Sequence, residues 1–176
     1  MDWTPARLRL LLLIALAIVG ALFAYQITSA PAEPPTLEEY LAFAPGRTLA
    51  PSDYSVEGTP LTCGTAKLVL NPKLDDVAAA EPGYMIINPA AFDKLPKIVR
   101  LYAYGHECGH LQHGPDETSA DCSAITSGVT QKWLDAAGVQ AICDFWKPLA
   151  TDKGHLPGAA RCEAMKQCFA KATATK

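Results

Sequence analysis

His106 and His110 stand four residues apart with Glu107 beside the first, in the order H-E-x-x-H. On a helix, residues four apart are offset by only about 40°, so both imidazoles can aim at one ion from successive turns. Glu107, adjacent in sequence, can then reach a metal-bound water without ligating the metal itself. That is the arrangement of hydrolytic zinc sites, which need three protein ligands and an open fourth position. Two histidines do not complete such a site, so the third ligand must come from elsewhere.

Three nearby residues compete for that role. His113 lies three residues past His110 on the same helix, and its direction diverges from the pair. Asp116 lies six residues after His110, the spacing of metzincins, but the glycine that pattern requires falls one residue late at Gly114. The later methionine, Met165, sits in a helical pattern rather than a turn. Glu117 opens Glu117-Thr118-Ser119-Ala120-Asp121, an E-x-x-A-D segment whose two acids share a helix face one turn apart. Glu117 can reach the metal. Asp121 can accept the free ring N–H of a ligating histidine, fixing its tautomer, or it can be a solvated charge on a helix face.

With "HECGH" followed by "ETSAD", residues 84–162 resemble the gluzincin metallopeptidases, in particular the HtpX-like and CAAX-prenyl-protease-like families. In those families the glutamate of the second motif is the third zinc ligand, which implies His106, His110 and Glu117 around one Zn2+. They also carry a later His-Pro segment with an arginine six residues after the histidine. Here His155 and Arg161 keep that distance, with the proline displaced by one. The resemblance implies that His155 faces the scissile carbonyl and that Arg161 supports the site. On their own residues, His155 is equally an ordinary loop histidine and Arg161 a helix-surface charge. Only six residues separate His110 from Glu117, and the multiple membrane spans of those families are missing, so a minimal, soluble or singly anchored relative is expected.

The elements that must position these residues can be read from the patterning. Ala66 to Leu70 and Tyr84 to Asn88 are β-rich runs bounded by Gly, Asn or Pro, and predict strands. The second could hold an extended peptide by strand addition. From about Phe92 to His113 the apolar spacing is helical, and Gly114-Pro115 ends it. A second helix is predicted from Asp116, as N-cap, to about Ala137, and two more follow, separated by a loop at 151–158. The fold class expected is α+β, a small antiparallel or mixed sheet followed by a mainly helical, zincin-like bundle spanning 61–176. Residues 33–60 are proline-rich and read as a spacer.

Composition adds the compartment. Arg7 and Arg9 precede an uncharged run, Leu10 to Tyr25, and Ala30-Pro31-Ala32 fits a small-x-small cleavage site. Residues 1–32 therefore read as a cleaved export signal or, through residues 10–27, as a retained membrane anchor. All six cysteines lie beyond it, which in an exported domain reads as disulfides. Cys108 with Cys122 is the expected pair, because each sits in one of the two motif segments that must converge. The net charge of -3 becomes -4 once Asp2, Arg7 and Arg9 are removed. Without basic runs, the domain has no footprint for nucleic acid. The expected function is an exported, periplasmic or otherwise extracytoplasmic zinc endopeptidase acting on peptides or unfolded protein. The alternatives are a catalytically silent, zinc-stabilised scaffold in the cell envelope and a metzincin-type protease using Asp116.

Overall fold

Apolar β-formers crowd segments 67–70 and 84–87, and both become strands of a single sheet. A computed structural model describes residues 14–19, 33–50, 53–150 and 155–174. The chain divides into two units, Met1–Pro34 and Pro35–Lys176. In the first, residues 14–19 are helical, with Ile14, Leu16, Ile18 and Val19 exposed. The remainder of the expected export segment, with its cleavage motif, lies outside the described residues. No helix among the described residues is long and apolar enough to cross a membrane.

The second unit is α+β. Its elements run α1 (Leu37–Phe43), β1 (Arg47–Leu49), β2 (Tyr54–Val56), β3 (Thr59–Leu61), β4 (Lys67–Leu70), β5 (Ala78–Glu81), β6 (Tyr84–Ile87), α2 (Pro89–Phe92), α3 (Lys97–His113), α4 (Glu117–Thr130), α5 (Ala136–Trp146) and α6 (Gly158–Ala174). A mixed sheet has the order β1-β4-β6-β5, and β2-β3 form a separate hairpin. β4 and β6 pair in parallel, while the two outer strands run antiparallel to their neighbours. β6 is buried at every position, because both sheet faces are covered. Leu68, Met85 and Ile87 pack with Phe92, Leu101 and Tyr104 on one face. Val69, Tyr84 and Ile86 pack with Tyr40 and Leu41 of α1 on the other.

Residues 35–50 and 53–60 are therefore no spacer. Proline content suggests a linker, but Thr36 caps α1 in a capping box with Glu39. Tyr40 is buried, and its hydroxyl accepts a 2.7 Å bond from the Asn71 amide. β1 closes one sheet edge. Glu57 and Gly58, both at positive φ, make the tight hairpin turn between β2 and β3.

Two helix boundaries also differ from expectation. α3 starts at Lys97 rather than Phe92 because Asn88 caps the separate single turn α2 and Pro96 bars helix at the residue before it. α4 ends at Thr130, about seven residues before Ala137. Lys132 adopts a positive φ, Trp133 and Leu134 return N–H bonds to Gly128, and Asp135 starts α5 by accepting from Gly138 N–H at 2.8 Å. Gly138, just past the expected end of the second helix, sits in the first turn of the next one.

The four long helices share a second core of Tyr102, Ala124, Ile125, Val139, Ile142 and Met165. The seam between α3 and α4 is built from small residues. A Cβ on Gly109 would fall 2.7 Å from Ala120 Cα and 2.8 Å from its carbonyl oxygen, and one on Gly105 would fall 3.2 Å from Ala124 Cα. Gly105 and Gly109 are one turn apart, as are Ala120 and Ala124. Backbone therefore approaches backbone along two turns, and the residues beside the seam are drawn together.

Candidate metal centre

Once α3 and α4 lie this close, His106 and His110 from one helix meet Glu117 from the first turn of the other. Their Nε2 atoms are 3.0 Å apart, and each faces Glu117 Oε2, at 3.1 Å from His106 and 3.3 Å from His110. Among the described residues, this is the group whose ligand atoms all lie within 4.8 Å of one another. His106, His110 and Glu117 thus converge as the motif spacing predicts. Asp116 does not. It is exposed and accepts the Ser119 N–H at 2.7 Å as the N-cap of α4, so the metzincin alternative loses its ligand. His113 is exposed as well, and Met165 is buried within α6.

The protonation pattern follows from the partners. His106 Nδ1 is 2.7 Å from Asp121 Oδ1. Burial alone would raise the Asp121 pKa, but bonds from His106 and Arg161 outweigh it and hold the carboxyl well below the usual range. An ionised Asp121 can only accept, so His106 Nδ1 carries the proton. His110 Nδ1 is 3.0 Å from the Gly114 carbonyl oxygen, also an acceptor, so the same holds there. Both Nε2 atoms then present lone pairs. Burial lowers the His106 pKa despite the bond to Asp121, which keeps the imidazole neutral as a ligand must be.

Two imidazole lone pairs and a carboxylate oxygen within 3.3 Å of one another repel unless a cation lies among them. Glu117 Oε2 is buried and has no well-aligned hydrogen-bond donor, with His155 Nε2 also 2.8 Å from it. Ligands each about 2.1 Å from a tetrahedral zinc would stand about 3.4 Å apart, close to the separations seen here. The donor set therefore fits a metal ion, with imidazole and carboxylate chemistry suited to zinc and its neighbours in the first transition row.

Behind His106 lies a buried polar network. Arg161 is only 6% exposed and grips Asp121 with two bonds of 2.7 Å, from Nε and Nη2. The same Nη2 donates to the Tyr102 hydroxyl at 3.0 Å, and that hydroxyl in turn donates to Asp121 Oδ1. The guanidinium lies 5.0 Å from the Trp146 ring and 5.7 Å from the Tyr102 ring. Arg161 is thus a buried ion-pair partner and not a helix-surface charge, and Asp121 is not a solvated one. Burial would favour the neutral guanidine, but the bond to Asp121 holds the Arg161 pKa above its usual value. Tyr102 and Trp146 carry no motif, and their spacing reads only as core. What could have flagged them is that both are aromatics able to face a buried arginine.

Glu107 and His155 complete the site. Both line a cleft of about 410 Å³ between α3, the start of β5 and the α5–α6 connection. Burial pushes the Glu107 carboxyl up to about 7, with Asp76 and Glu117 adding and His110 opposing. His155 Nε2 is 2.8 Å from Glu117 Oε2, and its ring lies 5.3 Å from that of His106. The β6 backbone is not open to strand addition as expected: it is paired on both sides, by β4 and β5, and among the described residues the outer strand beside the cleft is β5. Its sequence, "AAAE", has no β-branched residue to reveal it.

Cys108 and Cys122 do not pair with each other. The bonds are Cys63–Cys108, Cys122–Cys168 and Cys143–Cys162. Cys108 is two residues past His106, which turns it about 200° away from the metal face of α3. It therefore meets Cys63 beyond the β2-β3 hairpin. Cys122 is turned about 140° from Glu117, towards α6. Convergence of the motifs does not bring their far faces together.

No family model matches the chain, no curated protein matches it, and no solved structure matches it.

Proposed function

We propose that the chain is an exported zinc endopeptidase that hydrolyses peptide bonds of peptides or unfolded proteins. One observation carries this reading. Three lone-pair atoms from His106, His110 and Glu117 converge, and His106 lines the same cleft as Glu107. A ligand set alone would support a scaffold, but the half-buried Glu107 carboxylate, beside the set and not part of it, supports chemistry.

A zinc ion held there would lower the pKa of its water and polarise a substrate carbonyl. Glu107 takes the proton of the attacking water and returns it to the leaving amine nitrogen. Its pKa of about 7 suits an acid–base group that must work in both directions near neutrality. His155, in the cleft beside Glu117, donates to the carbonyl oxygen as negative charge develops on it. Asp121, held by Arg161 and Tyr102, keeps the His106 proton on Nδ1. The outer edge of β5 pairs with the backbone of an extended substrate. The three disulfides and the Arg-led apolar run before residue 32 support an extracytoplasmic setting, soluble or tethered through residues 10–27.

Glu107→Gln tests the reading. The variant is expected to hold zinc at the wild-type stoichiometry while cleavage of an unfolded protein falls by at least about a hundredfold. Wild-type cleavage rates in that variant would reject the mechanism, and Glu117→Ala is expected to lose the metal.

A further inference from the structure

One helical turn before the residues of the candidate site, α3 presents very little bulk. Residues four apart share a helix face, so Tyr102 stands a turn before His106 and Ala103 a turn before Glu107, and all four line the cleft. Tyr102 is fully buried, and its hydroxyl is engaged by Asp121 and Arg161. The methyl of Ala103 is therefore what that turn offers to the cleft. Ala78 enters the same cleft from β5, which packs against α3. Two methyl groups on these walls leave a depth that larger side chains would fill.

The remaining wall is apolar and held in place. Trp146, Leu149 and Leu156 form it from the α5–α6 connection. Leu149 is 50% exposed and Leu156 44%, and Phe43 is the other large exposed hydrophobic among the described residues of the Pro35–Lys176 unit. The Leu149 N–H donates to the Trp146 carbonyl oxygen at 2.9 Å, and the Gly158 N–H donates to the Leu149 carbonyl oxygen at 3.1 Å. A Cβ on Gly158 would collide with the Trp146 carbonyl oxygen, so the start of α6 is pressed onto the end of α5. Cys143–Cys162 ties the same two helices, and the Arg161 guanidinium lies over the Trp146 ring. Apolar side chains left exposed on a fixed wall of a concave site mark where a ligand's apolar surface is received. The cleft is only about 410 Å³ and includes His106 and Glu107. A peptide bond placed at those residues must put a flanking side chain into the same space.

Resting on the peptidase reading above, we infer that this recess is the specificity pocket for one bulky apolar side chain flanking the scissile bond. Ala103 and Ala78 set its depth, and Trp146, Leu149 and Leu156 supply its apolar wall.

The test is digestion of a randomised peptide library by the zinc-loaded, disulfide-intact full chain. One flank of the cleaved bonds is expected to carry Leu, Ile, Met or Phe, favoured about tenfold over Ala and Ser at the same position. Ala103→Leu fills the recess and should invert that order, so that Ala and Gly are cut in preference to Leu and Phe. Leu149→Lys changes an exposed position on which folding does not depend. It should admit Asp and Glu at the same flank at the expense of Leu and Phe. Cleavage without an apolar preference on either flank, or an apolar preference that Leu149→Lys leaves unmoved, overturns this inference and leaves the peptidase reading standing. No cleavage of any library member or of unfolded protein overturns both.

Discussion

Asp121 makes its bonds where water cannot replace them. It accepts from His106, Arg161 and Tyr102 together, and removing its charge would strand the Arg161 guanidinium in the core. Asp121→Asn should therefore destabilise the fold by about 3–5 kcal/mol, read from urea midpoints. Tyr102→Phe keeps the ring and removes only the hydroxyl. It should weaken zinc binding by about tenfold with a smaller loss of stability, measured by competition with a chelator. Glu107 gives a pH signature in the metal-free protein. Its folded pKa of about 7 stands above the free value of 4.5, so the stability it contributes is complete below about pH 4.5 and is lost as pH rises towards 7. Relative to metal-free Glu107→Gln, the wild type should lose on the order of 2 kcal/mol between pH 5 and pH 8. The convergence of His106, His110 and Glu117 was legible, the histidines from one helical spacing and Glu117 from the E-x-x-A-D segment that follows. Tyr102 and Trp146 were not, since an aromatic at an apolar position has the same pattern whether it meets leucine or a guanidinium.

At the scale of elements, the site depends on how closely α3 and α4 approach. Gly109→Ala would set a methyl against the backbone of Ala120, which cannot yield as a side chain could. A loss of about 1–3 kcal/mol is expected, with weaker zinc binding because His110 and Glu117 move apart. Gly114 contributes differently. Its φ of 79° ends α3 while its carbonyl fixes the His110 tautomer, so Gly114→Ala should cost about 1 kcal/mol and also weaken metal binding. The sequence exposes the helices through periodicity and the Gly-Pro stop. It hides β1 and β5, which are short, proline-flanked or alanine-rich, and which owe their form to the hydrogen bonds of β4 and β6 rather than to their own propensity. The early end of α4 was hidden for a related reason, since Asp135 starts a new helix inside a run that is helical throughout.

Over the whole molecule, three covalent ties hold segments far apart in sequence. Cys63–Cys108 and Cys122–Cys168 close separations of 45 and 46 residues, and Cys143–Cys162 closes 19. Each tie stabilises by about 3–4 kcal/mol in the loop-entropy account. Their positions carry more meaning than their number. Cys108 follows Glu107, Cys122 follows Asp121 and Cys162 follows Arg161, so every tie has one end a single peptide unit from a residue of the candidate site. Mild reduction should release zinc to a colorimetric chelator at temperatures where the oxidised protein retains it, and reoxidation should restore uptake. On the proposed reading of an exported peptidase, a newly made chain whose thiols are still free would be harmless to its neighbours, acquiring the power to cut only after it has left the compartment in which it was synthesised.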